Sequence, residues 1–411
     1  MISKLRGGNG SALPGLVVER IDSSYVPTML GKLPHGVVVI SGTNGKTTTT
    51  KMVVELLESQ GLKVFTNRTG SNFVRGVAAA IIGDVDLRGR LNADIAVLEL
   101  DEAHAVHFVR AVQPRYSLLL NVMRDQLDRF GEIDTTATML RHVAEATSEK
   151  VIINREDPRL LQLSHDLPAE KVEYFGLAAD LRKEFPSDDT MRGASDESTS
   201  ADLPPARAVL ERLDGQHAHF RLRNASLEAR LKLDGIYNVF NAAAALGLVA
   251  TIVGETLDMS ALVKKLQTIT PAFGRGEILT VHGQPCELVL VKNPSGFRLG
   301  LKSFSPKGYV TMIAINDNYA DGRDMSWLWD VDFDSLCTTG VAMISGVRAY
   351  DMALRLQYDE VPAPYIEPNL ASALKQFLQH NDSPKRIYCT YTAMLALRHE
   401  LSKITDVEKV Q

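Results

Sequence analysis

Short apolar runs alternate with amphipathic stretches over the first third of the chain. The runs fall at residues 36–40, 62–66, 95–100, 116–122 and 151–154, and between them lie 47–60, 72–82, 103–112 and 136–147. Continuous Val, Ile and Leu mark strands covered on both faces. Their alternation with helical periods predicts a doubly wound α/β domain built on a parallel sheet. Residues 208–233 read as β structure, with alternating side chains from His217 to Arg223, and helical patterns return at 237–253 and 257–266. A second α/β pattern starts near Glu287. There the runs 288–291, 310–315 and 341–345 alternate with helical 350–357 and 370–378. The expected division is an N-terminal segment at 1–35, a middle domain at 36–282 and a smaller C-terminal α/β domain at 283–411. Residues 183–207, rich in Asp, Ser, Pro and Thr, offer few apolar groups to offset ordering entropy and are expected to form a flexible surface loop.

Composition narrows the classes. With 411 residues, 45% of them hydrophobic, the chain can build two or three cores. Its 45 basic and 50 acidic residues leave a formal charge of -5, which argues against nucleic acid as a partner. The longest apolar stretch, 242–254, is shorter than the roughly 20 residues a bilayer span needs, and residues 1–10 carry no signal-peptide core, so the protein is expected in the cytoplasm. Cys286, Cys337 and Cys389 stand about fifty residues apart and form no C-x-x-C pair; they read as buried, inert thiols, and no zinc is expected.

The first run feeds into Ser41-Gly42-Thr43-Asn44-Gly45-Lys46-Thr47-Thr48-Thr49-Thr50 and then a helical stretch. A strand entering a glycine loop that opens a helix turns backbone N–H groups and a helix N-terminus toward a polyphosphate. Lys46 would reach the β- and γ-phosphates and Thr47 would offer its hydroxyl to Mg²⁺. Counted from Gly42, the loop is two residues shorter than the general G-x-x-x-x-G-K-[ST] pattern. A tight turn with an ordinary helix cap is the competing reading.

The run Gly42 to Thr48 resembles the ATP loop of the Mur ligases and folylpolyglutamate synthetases, which join amines to carboxylates through an acyl phosphate. Further segments follow in that family's order. Glu99 stands where the family has a Mg²⁺-binding Glu, and Asn121 with Asp125, Leu127 and Asp128 resembles N-x-x-x-D-x-L-D. Asn154-Arg155-Glu156-Asp157-Pro158 is similar to N-x-D-D-P. Gly235 to Asn241, with Asn238, resembles G-x-H-N-x-x-N; Gly274-Arg275-Gly276-Glu277 resembles G-R-x-E; and Lys292-Asn293-Pro294 stands at H-N-P. Two departures matter. About 35 residues precede the loop, too few for the UDP-sugar domain of Mur ligases. Gln126 replaces a metal-binding His.

The segment Asn316 to Asp330, containing Asp321-Gly322-Arg323-Asp324 and both Trp327 and Trp329, resembles the MurT family of ligase-like subunits, as does Arg124 to Glu132. That resemblance implies ATP and Mg²⁺ as cofactors. Gly42, Thr43, Asn44, Gly45, Lys46, Thr47, Thr48, Asn238 and Arg275 would bind nucleotide, and Thr47 and Glu99 the metal. It also implies a GatD-type glutamine amidotransferase as heterodimeric partner, lipid II at the inner membrane face as substrate, and catalytic roles for Lys46, Glu99 and Asp324. Asp324 would serve the partner's glutaminase site across the interface; the alternative is that it pairs with Arg323 or caps the turn before Ser326. A stand-alone amide ligase and a degenerate nucleotide-binding scaffold also remain open. The two tryptophans suit a core or a protein interface equally, and His104 and His107 read as ordinary helix residues.

Overall fold

The computed structural model describes residues 13–67, 74–124, 133–185, 203–232, 236–270, 275–379 and 382–407. The sheet strands are β1 (Val37–Ser41), β2 (Val64–Thr66), β3 (Ile95–Glu99), β4 (Tyr116–Leu119), β5 (Lys150–Asn154), β6 (Val172–Leu177), β7 (Ala208–Asp214), β8 (His217–Leu222) and β9 (Ala225–Arg230) in a first sheet. A second holds β10 (Arg275–Val281), β11 (Gln284–Leu290), β12 (Val310–Ala314), β13 (Met343–Ser345) and β14 (Lys385–Cys389). The order is β2-β3-β1-β4-β5-β6-β7-β8-β9 in the first and β10-β11-β14-β12-β13 in the second.

Every residue of β1, β3 and β4 is buried, as continuous apolar runs require when helices cover both faces of a parallel sheet. β1 lies between β3 and β4, all parallel. The chain order reverses at β1, and in open α/β sheets that reversal leaves a crevice beyond the strand ends. β8 and β9 close the sheet as an antiparallel extension with alternating burial, which follows the alternation of their sequences. The apolar helix Ile236–Val253 is no membrane span here: Ala242 to Leu246 and Leu248 to Ala250 are fully buried in the core of the first domain.

The division of the sheets differs from the expected one near His282. Arg275–Val281 pairs antiparallel with β11, so it belongs to the second sheet. His282 (φ +50°) and Gly283 (φ +78°) are the hairpin turn between them, and turn chemistry read in isolation looks like a linker. The 183–207 stretch is only partly described: residues 186–202 lie outside the described residues, while Leu203 to Arg207 leads directly into β7.

Candidate functional site: a phosphate loop between two domains

The loop after β1 has two positions that demand glycine. Gly42 has φ +131° and Gly45 φ +88°. A Cβ on Gly42 would sit 3.0 Å from the Asn121 backbone, and one on Gly45 2.8 Å from Asn241 Oδ1. The loop is laid along the chain leaving β4. Thr43 N donates to Asn121 O at 3.0 Å, Asn44 N to Asn121 Oδ1 at 2.9 Å, and Asn121 Nδ2 returns a bond to Asn44 O at 3.0 Å. Thr43 Oγ1 accepts from Met123 N at 3.0 Å. The loop backbone is thus fixed before any ligand arrives.

The helix Lys46–Ser59 begins immediately after Gly45. Lys46 is 4% exposed, and its Nζ donates to Gly42 O at 2.6 Å while lying 3.2 Å from Asp101 and 3.4 Å from Glu102. Thr47 Oγ1 donates to Glu99 Oε1 at 2.8 Å, bringing the two expected metal ligands together. Asn67 holds the end of β3 in place: Glu99 N donates to its Oδ1 at 3.0 Å and its Nδ2 donates to Glu99 O at 2.8 Å. Thr48 Oγ1 is buried and unbonded among the described residues, an oxygen at the helix start ready for a further partner.

The second domain reaches the same loop. Asn293 caps the helix Pro294–Ser303, accepting from Gly296 N at 2.6 Å, and its Nδ2 lies 3.4 Å from Asn44 Oδ1. Ser295 Oγ donates to Arg124 O at 3.3 Å, and Arg124 pairs with Asp330 at 3.2 Å. Two helix N-termini therefore converge on one crevice, lined by Asn44, Gly45, Asn238, Asn241, Lys292 and Gly296. The glycine cradle, the converging N–H dipoles, the Thr47–Glu99 pair and the unbonded Thr48 hydroxyl together fit a magnesium-bound triphosphate.

Of the expected residues, the structure gathers Gly42 to Thr48, Glu99 and Asn238. Arg275 opens β10, but its side chain lies outside the described residues, as do Asp125, Gln126, Leu127 and Asp128. Asp324 lies in the turn before the short helix Ser326–Asp330, within reach of the Arg124 charge. It accepts from Ser326 N at 2.9 Å, the turn cap of the competing reading, and hydrogen bonds from Ser326, helped by the nearby Arg124 charge, hold its carboxyl below the usual range. It is therefore an anion at neutral pH, half-buried and oriented. The tryptophans divide: Trp327 packs edge-on against Phe297 in the core, whereas Trp329 is 49% exposed, 5.1 Å from Tyr358 and under the Arg355 guanidinium. Asp101, Glu102 and Asn67 are partners of this site that the sequence motifs did not include, whereas Asn241, which meets Gly45, ends the G-x-H-N-x-x-N segment. The acidic spacing Glu99-Leu100-Asp101-Glu102 was the visible signal for two of them.

The Asn154 to Pro158 segment turns out to support the loop from below. Asn154 Nδ2 donates to Leu120 O at 2.9 Å, and Asp157 accepts from Val122 N at 2.7 Å while capping the next helix through Arg159 N and Leu160 N. Burial pushes the Asp157 carboxyl up to about 6, against the pull of its three backbone donors. Its stabilising contribution is therefore greatest below the ordinary value of 3.8 and falls as pH rises toward 6. Asp157→Ala is expected to cost about 2–4 kcal/mol by orphaning these donors, and thermal melting would show it. Melting of Asp157→Asn should lose the pH dependence between those two values.

The sheet, the glycine cradle and the threonine–glutamate pair define an ATP-loop ligase of the Mur type, and the sequence relatives agree. The Mur ligase middle domain family matches residues 40–249, and the MurT ligase C-terminal family matches 290–394. The lipid II isoglutaminyl synthase (glutamine-hydrolyzing) subunit MurT of Streptococcus pneumoniae is 30% identical over 98% of this chain and 95% of its own length. The Staphylococcus aureus subunit of that name is 28% identical over the same shares. The chain belongs to the MurT family of Mur ligases. Its fold is shared with MurF of Acinetobacter baumannii (TM-score 0.69, 17% identity, covering 95% of this chain and 80% of that one). It is shared too with the folylpolyglutamate synthase of Mycobacterium tuberculosis (TM-score 0.64, 15% identity, 97% and 96%).

No cluster of three or more His, Cys, Asp or Glu side chains suited to a metal occurs among the described residues; Cys286 and Cys389 are buried thiols, whereas Cys337, expected to be buried as well, is half-buried, with its Sγ donating to Asp359 O at 3.3 Å. Elemental analysis of the purified chain is expected to find zinc well below one equivalent.

Proposed function

We propose that this chain is the synthetase subunit of a glutamine-dependent lipid II amidating enzyme, converting the α-carboxylate of the stem-peptide D-glutamate to D-isoglutamine. The observation that carries the reading is the Thr47–Glu99 pair beside Lys46 at the opening of a helix, in a chain whose relatives bear the MurT name. A carboxylate oxygen attacks the γ-phosphorus of ATP, ADP leaves, and an acyl phosphate forms. Ammonia nitrogen then attacks the acyl carbon, phosphate departs, and the nitrogen gives up a proton. Lys46 would offset the charge that spreads over the transferring phosphoryl oxygens, and backbone N–H groups from both helix starts would face the phosphates; Thr47 and Glu99 are the residues that would hold Mg²⁺, which would supply further neutralisation of that charge.

Ammonia at neutral pH is mostly ammonium, which is not a nucleophile, so a glutaminase partner that releases ammonia locally suits this chemistry. The surface offers a place for one. The helix Ala349–Tyr358 turns Tyr350, Leu354 and Tyr358 outward at four-residue spacing, next to Trp329, and all four are exposed. Large solvent-facing aromatics grouped this way are typical of the anchors of protein interfaces. The lipid carrier would bring the enzyme to the inner face of the membrane. Incubating the chain with its co-purified glutaminase, ATP, glutamine and lipid II should yield a product lighter by about one dalton, the difference between an acid and its amide. Unchanged lipid II mass with ATP consumed on another acceptor would refute the reading.

A further inference from the structure

Three carboxylates surround the start of the helix Lys46–Ser59, and the reaction above employs only Glu99. Asp101 and Glu102 pair with Lys46 instead. Glu102 is 1% exposed, while the Asp101 side chain is 17% exposed and open to water. A buried anion next to a polyphosphate site works against nucleotide binding, because it repels phosphate and has itself given up hydration. If Lys46 served only to attract nucleotide, the loop would bind better without Glu102. Its presence makes sense where the direction of the ammonium matters more than affinity. Gly42 O accepts from Nζ on one side at 2.6 Å, and Glu102 Oε2 draws it from another at 3.4 Å. Thr43 O at 3.5 Å and the more exposed Asp101 at 3.2 Å complete the ring, and such fixed acceptors confine a four-carbon side chain that otherwise keeps many rotamers.

We propose that Glu102 is a positioning residue, whose buried carboxylate holds the Lys46 ammonium in the orientation that meets the transferring phosphoryl group, at the expense of nucleotide affinity. The inference rests on the reading of Lys46 as a phosphate ligand. A purely structural Glu102, favoured in the first turn of its helix by the dipole, is the alternative.

The two differ in kinetics, and a double-mutant cycle separates them. Wild type, Glu102→Gln, Glu102→Asp, Lys46→Ala and the Lys46→Ala/Glu102→Gln pair would be compared in the full chain, with ammonium supplied at raised pH. ATP-dependent lipid II amidation, titration with a fluorescent ATP analogue, and melting temperature would be read for each. For Glu102→Gln the expected result is a fall in kcat of about tenfold or more, with KM for ATP and analogue affinity unchanged or tighter. Glu102→Asp should recover part of the loss, and Glu102→Gln should slow the Lys46→Ala enzyme no further. A Glu102→Gln enzyme with a weakened KM, lowered melting temperature and normal kcat would overturn the proposal, as would losses that multiply in the double variant. If Glu102→Gln fails to fold, the cycle runs with Glu102→Asp, whose deficit must vanish in the Lys46→Ala background. Wild-type amidation by Lys46→Ala would remove the phosphate reading itself, a distinct outcome from multiplying losses, which leave that reading intact.

Discussion

Lys46→Ala is expected to lower ATP-dependent amidation by at least about a thousandfold, because under the proposed mechanism its ammonium would stabilise charge that develops only as the phosphoryl group transfers. The structure adds a consequence for folding. Removing a 4%-exposed lysine leaves the Asp101 and Glu102 carboxylates without their shared cation, so the alanine variant should melt at a lower temperature than wild type. Lys46→Arg separates the two effects. It keeps the positive charge between the carboxylates and should stay near wild-type stability, yet the planar guanidinium is a poor replacement for a point charge at the Gly42 carbonyl, and most activity should still go. Near-normal amidation by a folded Lys46→Ala chain would end the assignment of the loop as the phosphoryl-transfer site.

The second large effect is expected at Asp324, in the opposite half-reaction. Glutaminases activate a cysteine through a histidine, and an acid that orients the histidine stabilises its charged form. Asp324 has what that role needs: it is ionised, half-buried and held by Ser326 in a fixed direction. In the complex, Asp324→Asn should reduce glutamine hydrolysis by about a hundredfold or more while amidation from high added ammonium at raised pH persists, since that route bypasses the partner. The turn cap alone predicts otherwise. Asn also caps well, so a purely local role would leave glutamine hydrolysis unchanged and alter only the melting temperature by a few tenths of a kcal/mol in equivalent stability.

The middle domain was legible because its strands are covered on both faces, so hydrophobicity alone marked β1, β3, β4 and β5 to within a few residues. The same rule hid β14, the central strand of the second sheet, which opens with Lys385 and Arg386. Arg386 is tolerated at 4% exposure because it pairs with Glu287 on β11 at 2.5 Å and lies 3.9 Å from the Tyr309 ring centre, partners that are remote in sequence. The phosphate loop could be read residue by residue, since its glycines and its Lys-Thr are contiguous. Its supports could not. Asn67 acts through two hydrogen bonds across the fold, and an isolated Asn in a sequence carries no sign of which backbone it will meet; Asn241 ends a segment that the resemblance marked, but its close approach to Gly45 is visible only in the fold.

The adjacency of β11 and β14 bears on how two chemistries could be kept in step. These parallel neighbours run side by side, Leu290 opposite Cys389. Just beyond the first, Asn293 touches the phosphate loop; just beyond the second, Thr392 binds Asp321, at the root of the turn that carries Asp324. Adjacent strands in a sheet are spaced by about 4.8 Å and cannot slide without breaking their ladder. The sheet then works as a ruler. Under the proposed reading, synthetase and glutaminase elements would be registered by its rigidity, with no bistable relay required between them. Tuning of one half-reaction by the other would have to come from the ligands and the partner subunit.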